Sequence, residues 1–378
     1  MEYCLTDLCE LIMGQSPDSS SCNKDGKGIP FYQGNADFGE KNPTPRNWCL
    51  QPKKIAQKDD ILISVRAPIG DLNIANEDCC IGRGVAAIRM KSKECDRDYL
   101  YLFLESKSKY LQDCGTGSTF TAINKGVLES LKVKCPELKN QTSIANEIEN
   151  IKAAIKYKNS ELICLNEAVQ SEFVEIFGED LYDTSKKCKV SDVCTALIGL
   201  TYKPANVTES GTIVLRSGNI QNQELYLKDD IVRVSDITIK DEKYIKDKDI
   251  LMCSRNGSAR LVGKSCLIRN PEEKMSFGAF MTVIRTDYPY FMQSFFSSDF
   301  FKKQLVGVKT ASVNQITTSM LYGYETIKIS DDKEKSFAAF VQQIDKSKFV
   351  LQQQLQFIKK YAIMTSWRKI CFYTTVVT

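Results

Sequence analysis

Asp60-Ile61-Leu62-Ile63-Ser64-Val65-Arg66 returns further along the chain as Asp249-Ile250-Leu251-Met252-Cys253-Ser254-Arg255. A second pair of echoes follows. Ile81-Gly82-Arg83-Gly84-Val85-Ala86-Ala87-Ile88-Arg89 is answered by Phe277-Gly278-Ala279-Phe280-Met281-Thr282-Val283-Ile284-Arg285. A third pair precedes them, Leu5-Thr6-Asp7-Leu8-Cys9 and Val190-Ser191-Asp192-Val193-Cys194. The spacing of about 190 residues is far above the roughly 20 to 50 of solenoid repeats, so it marks a duplicated domain. Two copies of one domain make a pseudo-twofold molecule. Such a molecule suits a ligand that is itself nearly twofold, and double-stranded DNA is the commonest of these.

Each copy mixes short strands with helices. Ile61–Val65, Val85–Arg89 and Leu131–Lys134 read as strands in the first copy, and Ile250–Met252, Met281–Ile284 and Thr326–Ile329 in the second. Helical patterns cover Asp98–Tyr110 and Tyr290–Leu305. The expected fold class is α+β, with one mixed domain used twice.

Each copy ends in a heptad pattern. Ile144, Ile148, Ile151, Ile155, Leu162, Leu165 and Val169 form the first stripe, with Lys158 on the same line. Phe337, Val341, Ile344, Leu351, Leu355, Ile358 and Ala362 form the second, interrupted by Lys348. The two stripes superimpose at a constant offset of 193 residues. Heptads sustained this long point to a coiled coil, in which a seam lysine costs stability but can fix register. Their charges are opposite. Residues 138–185 carry four Lys/Arg against nine Asp/Glu, and residues 332–378 carry eight against three. That favours packing of one helix on the other. From Gln141 to Phe177 the first helix would span roughly 55 Å, a rod able to hold two domains apart.

Composition excludes more than it identifies. The 378 residues, 43% hydrophobic and 26% charged, suit two or three ordinary domains. No apolar leader follows a basic start and no run is long enough to span a membrane, so a cytoplasmic location is expected. Fifteen cysteines without CxxC spacing read as reduced thiols, most of them in the core. No histidine is present, which removes histidine-based triads, general bases and zinc sites. No metal is expected and no catalytic residue is assigned. A net charge of +4 is weak for tight DNA binding by this chain alone, and points to partners that supply phosphate contacts.

Polar loop residues recur at matching places. Gln33, Gly34 and Asn35 correspond to Ser217, Gly218 and Asn219, with Arg216 alongside. Arg66 corresponds to Arg255, which is followed by Asn256 and Arg260. Arg83 lies in the second echo. Ser118, Thr119, Thr121 and Asn124 correspond to the stretch holding Lys309, Thr310, Ser312 and Asn314. Arg, Asn and Gln can grip base edges bidentately, while Ser, Thr and glycine-freed backbone amides suit phosphate. The plainer reading of each is a turn former or a solvated arginine.

Asp60 to Asp71, with Cys80 to Arg89, closely resembles the specificity subunits of type I restriction-modification systems. So does the passage from Gly117-Ser118-Thr119 through Leu131 and Pro136 into Gln141 to Ile148. The resemblance covers essentially the whole chain and is looser in the second copy. It implies two target recognition domains, residues 1–137 and 188–331, each reading half of a bipartite, asymmetric DNA site. The residues place the two helices over 138–178 and 332–366, the first ended by the glycine stop Phe177-Gly178-Glu179-Asp180 and followed by a linker at 179–187. The resemblance implies that these conserved helices form an antiparallel coiled coil setting the unread spacer. Partners would be double-stranded DNA, two adenine methyltransferase subunits that use S-adenosylmethionine, and two motor-nuclease subunits where restriction occurs. The chain itself would bind no cofactor and catalyse nothing.

Two departures stand out. The second copy reads Arg255-Asn256-Gly257-Ser258 where the first has Arg66-Ala67-Pro68-Ile69-Gly70, so the two domains are expected to read different half-sites. Residues 367–378 form a β-prone apolar tail without an assigned role. Three rival readings remain: a protein–protein adaptor without DNA binding, a methylation-only system, and a single-chain restriction enzyme-methyltransferase. For the last, Asp287-Tyr288-Pro289-Tyr290 is the nearest approach to an adenine site, and it lacks the first proline.

Overall fold

The computed structural model describes residues 1–116, 121–305 and 314–364. The chain divides into two units, Met1–Lys158 with Gln353–Thr378, and Asn159–Gln352.

Unit 1 is built on an antiparallel sheet of β1 (Cys9–Met13), β2 (Ile61–Ser64), β3 (Leu72–Ile74) and β4 (Val85–Met90), in the order β1-β4-β2-β3. Unit 2 repeats it with β5 (Thr195–Ile198), β6 (Ile250–Cys253), β7 (Ser265–Leu267) and β8 (Met281–Arg285), in the order β5-β8-β6-β7. The repeated sequence motifs are therefore the central strand pair of each sheet. Their ends explain why the motifs recur. Asp60, just before β2, takes Nη2 of Arg89 from β4 at 2.8 Å, and Asp249 takes Nε of Arg285 at 2.8 Å. Both carboxylates are buried, and each also accepts a backbone N–H, from Gln57 or Lys246. A buried carboxylate needs such partners, so Asp and Arg at the two ends of the paired strands form one structural requirement.

A second sheet of shorter strands flanks each of these, five-stranded in unit 1 and four-stranded in unit 2, and each contains one parallel pair. Phe31 and Tyr32 face Cys80 and Ile81 in unit 1, and Val214 and Leu215 face Ser276 and Phe277 in unit 2. Gly14 and Gly199 follow the first strand of each main sheet. A Cβ on either would fall 2.2 or 2.0 Å from the carbonyl oxygen of Gly82 or Gly278, so only glycine permits that approach.

Each unit carries a buried helix, α1 (Arg97–Ser106) in unit 1 and α3 (Pro289–Ser297) in unit 2. Both are shorter than the sequence pattern suggested. The backbone turns at Lys107, and Ser298 caps a new helix at Asp299–Gln304.

The long helices are α2 (Leu138–Tyr182), about 67 Å at 1.5 Å per residue, and α4 (Asp331–Met364). Gly178 does not end α2. Phe173, Phe177 and Leu181 bury one face of its last turns, and Asp180 binds Lys186 and Lys333. This outweighs the roughly 1 kcal/mol that a helical glycine costs against alanine. The helices run antiparallel in both units. In unit 1 the Tyr361 hydroxyl donates to Glu147 at 3.3 Å. In unit 2 Phe337, near the start of α4, packs on Phe173 and Phe177 near the end of α2.

The heptad stripe divides its work. Ile144 and Ile148 join the core of unit 1, while Val169, Phe337 and Val341 join that of unit 2. Leu355 and Ala362 are also buried, while Ile151, Ile155, Leu162, Leu165, Ile344, Leu351 and Ile358 are half-buried along the helices. Lys348 lies beside Asp345 with its side chain 12% exposed, and burial lowers its pKa.

The first turn of each long helix also fastens its domain. Gln141 accepts from Asp96 N at 2.8 Å, at the residue that caps α1. Glu334, 193 residues later, accepts from Tyr290 N and Phe291 N, each at 3.0 Å, at the start of α3. Residues 367–378 lie outside the described residues.

Candidate nucleic-acid interface

The matched polar loops converge at one end of each main sheet, joined by backbone hydrogen bonds. In unit 1 Gly84 N donates to Gln33 O, Val65 N to Gly84 O, Ile123 N to Val65 O and Ala67 N to Thr121 O. Gln33, the Arg83–Gly84 turn, Arg66 and Thr121 thus form one strip. In unit 2 Gly278 N donates to Leu215 O, Ser254 N and Arg255 N to Phe280 O, and Ile316 N to Ser254 O. That strip runs from Arg216 through the Gly278–Phe280 turn and Arg255 to Gln315.

The expected side chains fare differently along the strips. Gln33, Arg66 and Arg260 are exposed, with no side-chain partner among the described residues. Arg83 is exposed, and its one side-chain partner among the described residues is Ser16 Oγ, at 3.4 Å. Arg255 is exposed, and its Nε donates to Gln315 Oε1 at 2.7 Å. Thr121 is half-buried. Asn256 holds the framework through Ser217 Oγ and Ser258 N, and Asn314 through Gly257 O.

One expectation, Asn219, is corrected, and three further side chains are engaged within their own unit. Asn219 is 1% exposed, accepts from Arg216 N at 2.8 Å and donates to Tyr226 O at 3.1 Å, so its amide is consumed by its own loop. Asn124 caps the helix Lys125–Glu129 by accepting from Val127 N. Asn35 donates to Asp71, and Arg216 is paired with Asp230. Short amides satisfy nearby backbone as readily as they meet a ligand, and buried ones must do so. Ser118, Thr119, Lys309, Thr310 and Ser312 lie outside the described residues.

The sequence reading missed Phe280, exposed beside Arg255, and Gln315, which orients that arginine. An aromatic in a turn where the other copy has Gly84 was the available signal.

The exposed arginine and amide side chains of the strips are hydrogen-bond donors facing solvent. Burial raises the thiols of Cys9, Cys79, Cys80, Cys194 and Cys266 to about 12, so these are inert core groups. Cys253, beneath the second strip, is also raised by burial. Among the described residues no group of three or more Cys, Asp or Glu is arranged to hold a metal. No helix among them is long and apolar enough to cross a membrane. The Asp287–Tyr290 run is structural: Pro289 opens α3, and Tyr290, buried, accepts from Gln342.

A duplicated α+β domain that carries exposed arginines on matched loops and pairs with long helices is the class of protein defined here. Residues 1–166 match the family described as type I restriction modification DNA specificity domain. A specificity subunit ascribed to the MjaX type I restriction enzyme of Methanocaldococcus jannaschii is 43% identical over 152 residues, which are 40% of this chain and 36% of that protein. The EcoKI specificity subunit of Escherichia coli is 28% identical over 185 residues, 46% of this chain and 39% of that one. The chain thus matches little more than a third of the length of these curated relatives. The crystal structure of a type I restriction-modification S subunit from M. genitalium shares the fold, with a TM-score of 0.57 over 98% of this chain and 95% of that one, at 14% identity.

Proposed function

We propose that the chain is a sequence-specific double-stranded DNA-binding subunit of a type I restriction-modification system. The observation that supports this best is the duplicated strip. In each unit at least one exposed arginine, Arg66 or Arg255, stands at the end of a central strand, where rigid backbone aims it outward. Side chains so placed read base edges, while the surrounding loops meet phosphate. The two strips differ in sequence, which suits an asymmetric bipartite site.

On this reading the chain directs partner subunits and catalyses nothing itself. Two adenine methyltransferase subunits would bring S-adenosylmethionine, and two nuclease subunits would join where the system restricts. α2 and α4 would fix the spacer between the half-sites. The site of action would be the cytoplasm. The modest net charge of +4 fits a complex in which partners carry much of the phosphate contact.

The test is to co-express the chain with a partner methyltransferase and map methylated adenines by single-molecule sequencing. The expected result is a bipartite motif with a fixed unread gap. An intact methyltransferase that copurifies yet methylates no specific site would overturn this reading in favour of an adaptor.

A further inference from the structure

Arg255 and Phe280 meet in unit 2 in a way that unit 1 does not reproduce. Phe280 is 58% exposed at the tip of its turn. Its carbonyl accepts from Ser254 N at 3.0 Å, Arg255 N at 3.1 Å and Ser254 Oγ at 3.0 Å, so the tip is fastened to the end of β6. The Arg255 guanidinium carbon lies 5.5 Å from the centre of the Phe280 ring. With Nε held by Gln315, the two terminal nitrogens of Arg255 have no partner among the described residues. In unit 1 the matching position is Gly84, whose carbonyl accepts from Val65 N at 2.9 Å. A Cβ there would fall 2.4 Å from Gln33 O, so no aromatic fits.

A single exposed phenylalanine is ordinary on a protein surface. One whose backbone is fixed by three donors, and whose ring lies against an immobilised guanidinium, is a built arrangement. Its chemistry is specific. The free end of Arg255 offers two parallel donors, and in the major groove guanine presents the matching pair of acceptors, N7 and O6. The ring beside it offers an apolar face, and the apolar group on a major-groove base edge is the C5 methyl of thymine.

We propose that Arg255 and Phe280 form a two-residue reader in which Arg255 grips a guanine and Phe280 covers a thymine methyl on a neighbouring base pair of the half-site taken by unit 2. The proposal rests on the DNA-reading function above and names the bases that this unit selects.

The experiment uses the chain assembled with its methyltransferase partner and duplexes carrying the mapped site. Guanines of the second half-site are replaced one at a time by 7-deazaguanine, and thymines by deoxyuridine. One 7-deazaguanine should weaken wild-type binding on the order of tenfold, and should have no further effect on Arg255→Ala. One deoxyuridine should weaken wild-type binding about fourfold, the worth of one buried methyl, and should not affect Phe280→Ala. Unchanged copurification and thermal melting of both variants confirm that the fold is kept. A second half-site without guanine, or a deoxyuridine effect that persists in Phe280→Ala, overturns the proposal while leaving DNA reading intact. Absence of specific binding by the wild-type complex overturns both.

Discussion

The Asp60–Arg89 pair offers the sharpest test of how this frame is held. Asp60 is 4% exposed and accepts Arg89 Nε at 3.1 Å, Arg89 Nη2 at 2.8 Å and the Gln57 backbone N–H at 2.7 Å. Removing one partner of a buried pair typically costs about 3–5 kcal/mol, because the other is left buried and unpaired. Here Arg89 keeps a quarter of its side chain exposed and has Glu10 at 3.8 Å, so Asp60→Ala should cost about 3 kcal/mol, the low end. Arg89→Ala strands a carboxylate that still accepts one backbone N–H, and should also cost about 3 kcal/mol. The double variant strands neither group. Its cost should be about 4 kcal/mol, well short of additivity, giving a coupling of about 2 kcal/mol. Trp48 belongs to unit 1, so in a Trp367→Phe background its fluorescence during urea unfolding reports that unit. At a slope of ~2 kcal/mol per molar, each single variant should lower the midpoint by about 1.5 M. Additive losses would refute the reasoning, since Asp60 and Arg89 would then act separately.

Glu334 gives a pH test: burial raises its carboxyl to about 7 against two stabilising backbone donors, so the native state holds a proton that the unfolded chain loses near 4.5. Its stabilising contribution is therefore complete at low pH and is lost as pH rises to about 7. Glu334→Gln should gain thermal stability relative to wild type between pH 5 and pH 8, and a pH-independent difference in melting temperature would contradict this. Asn219→Ala should lower stability by about 1–3 kcal/mol by orphaning buried loop groups, while the methylation motif mapped by sequencing stays the same. Arg66→Ala should relax or abolish recognition of the half-site read by unit 1 while methyltransferase copurification is unchanged. Loss of copurification with an unaltered motif would reverse that assignment.

The duplication was legible because structural demand sits in the repeated residues themselves. The Asp at the head of one motif must meet the Arg at the tail of the next, and both copies keep both. The central strands were found because runs such as Ile61–Ser64 and Ile250–Cys253 are apolar but for Ser64, being buried on both faces. The flanking sheets escaped notice because their strands are two to four residues long, too short to show a period. The end of α2 was misread because Gly178 is a local signal, whereas Phe177 and Leu181 answer to the tertiary core. The same limit explains the loop residues. Sequence shows that Asn124 and Asn219 are amides among turn formers, but not whether an amide turns inward to backbone or outward to solvent.

What the two units share and what they vary divide cleanly in space. The carboxylate–arginine pairs, Gly14 with Gly199, and Gln141 with Glu334 recur at matched positions because each satisfies a buried group or permits a close approach. Variation collects at the strips, where side chains face outward and little packing is at stake. Even there it is constrained. Gly84 is confined by Gln33 O, so a larger residue at that tip requires the neighbouring loop to move aside. In unit 2 that neighbouring loop is Arg216–Asn219, cross-braced by Asn219 and by the Arg216–Asp230 pair, and the tip carries Phe280. Loop and tip must therefore change together. The frame can then accept a new recognition surface without disturbing the sheet beneath, provided that adjacent loops are exchanged as a set rather than residue by residue.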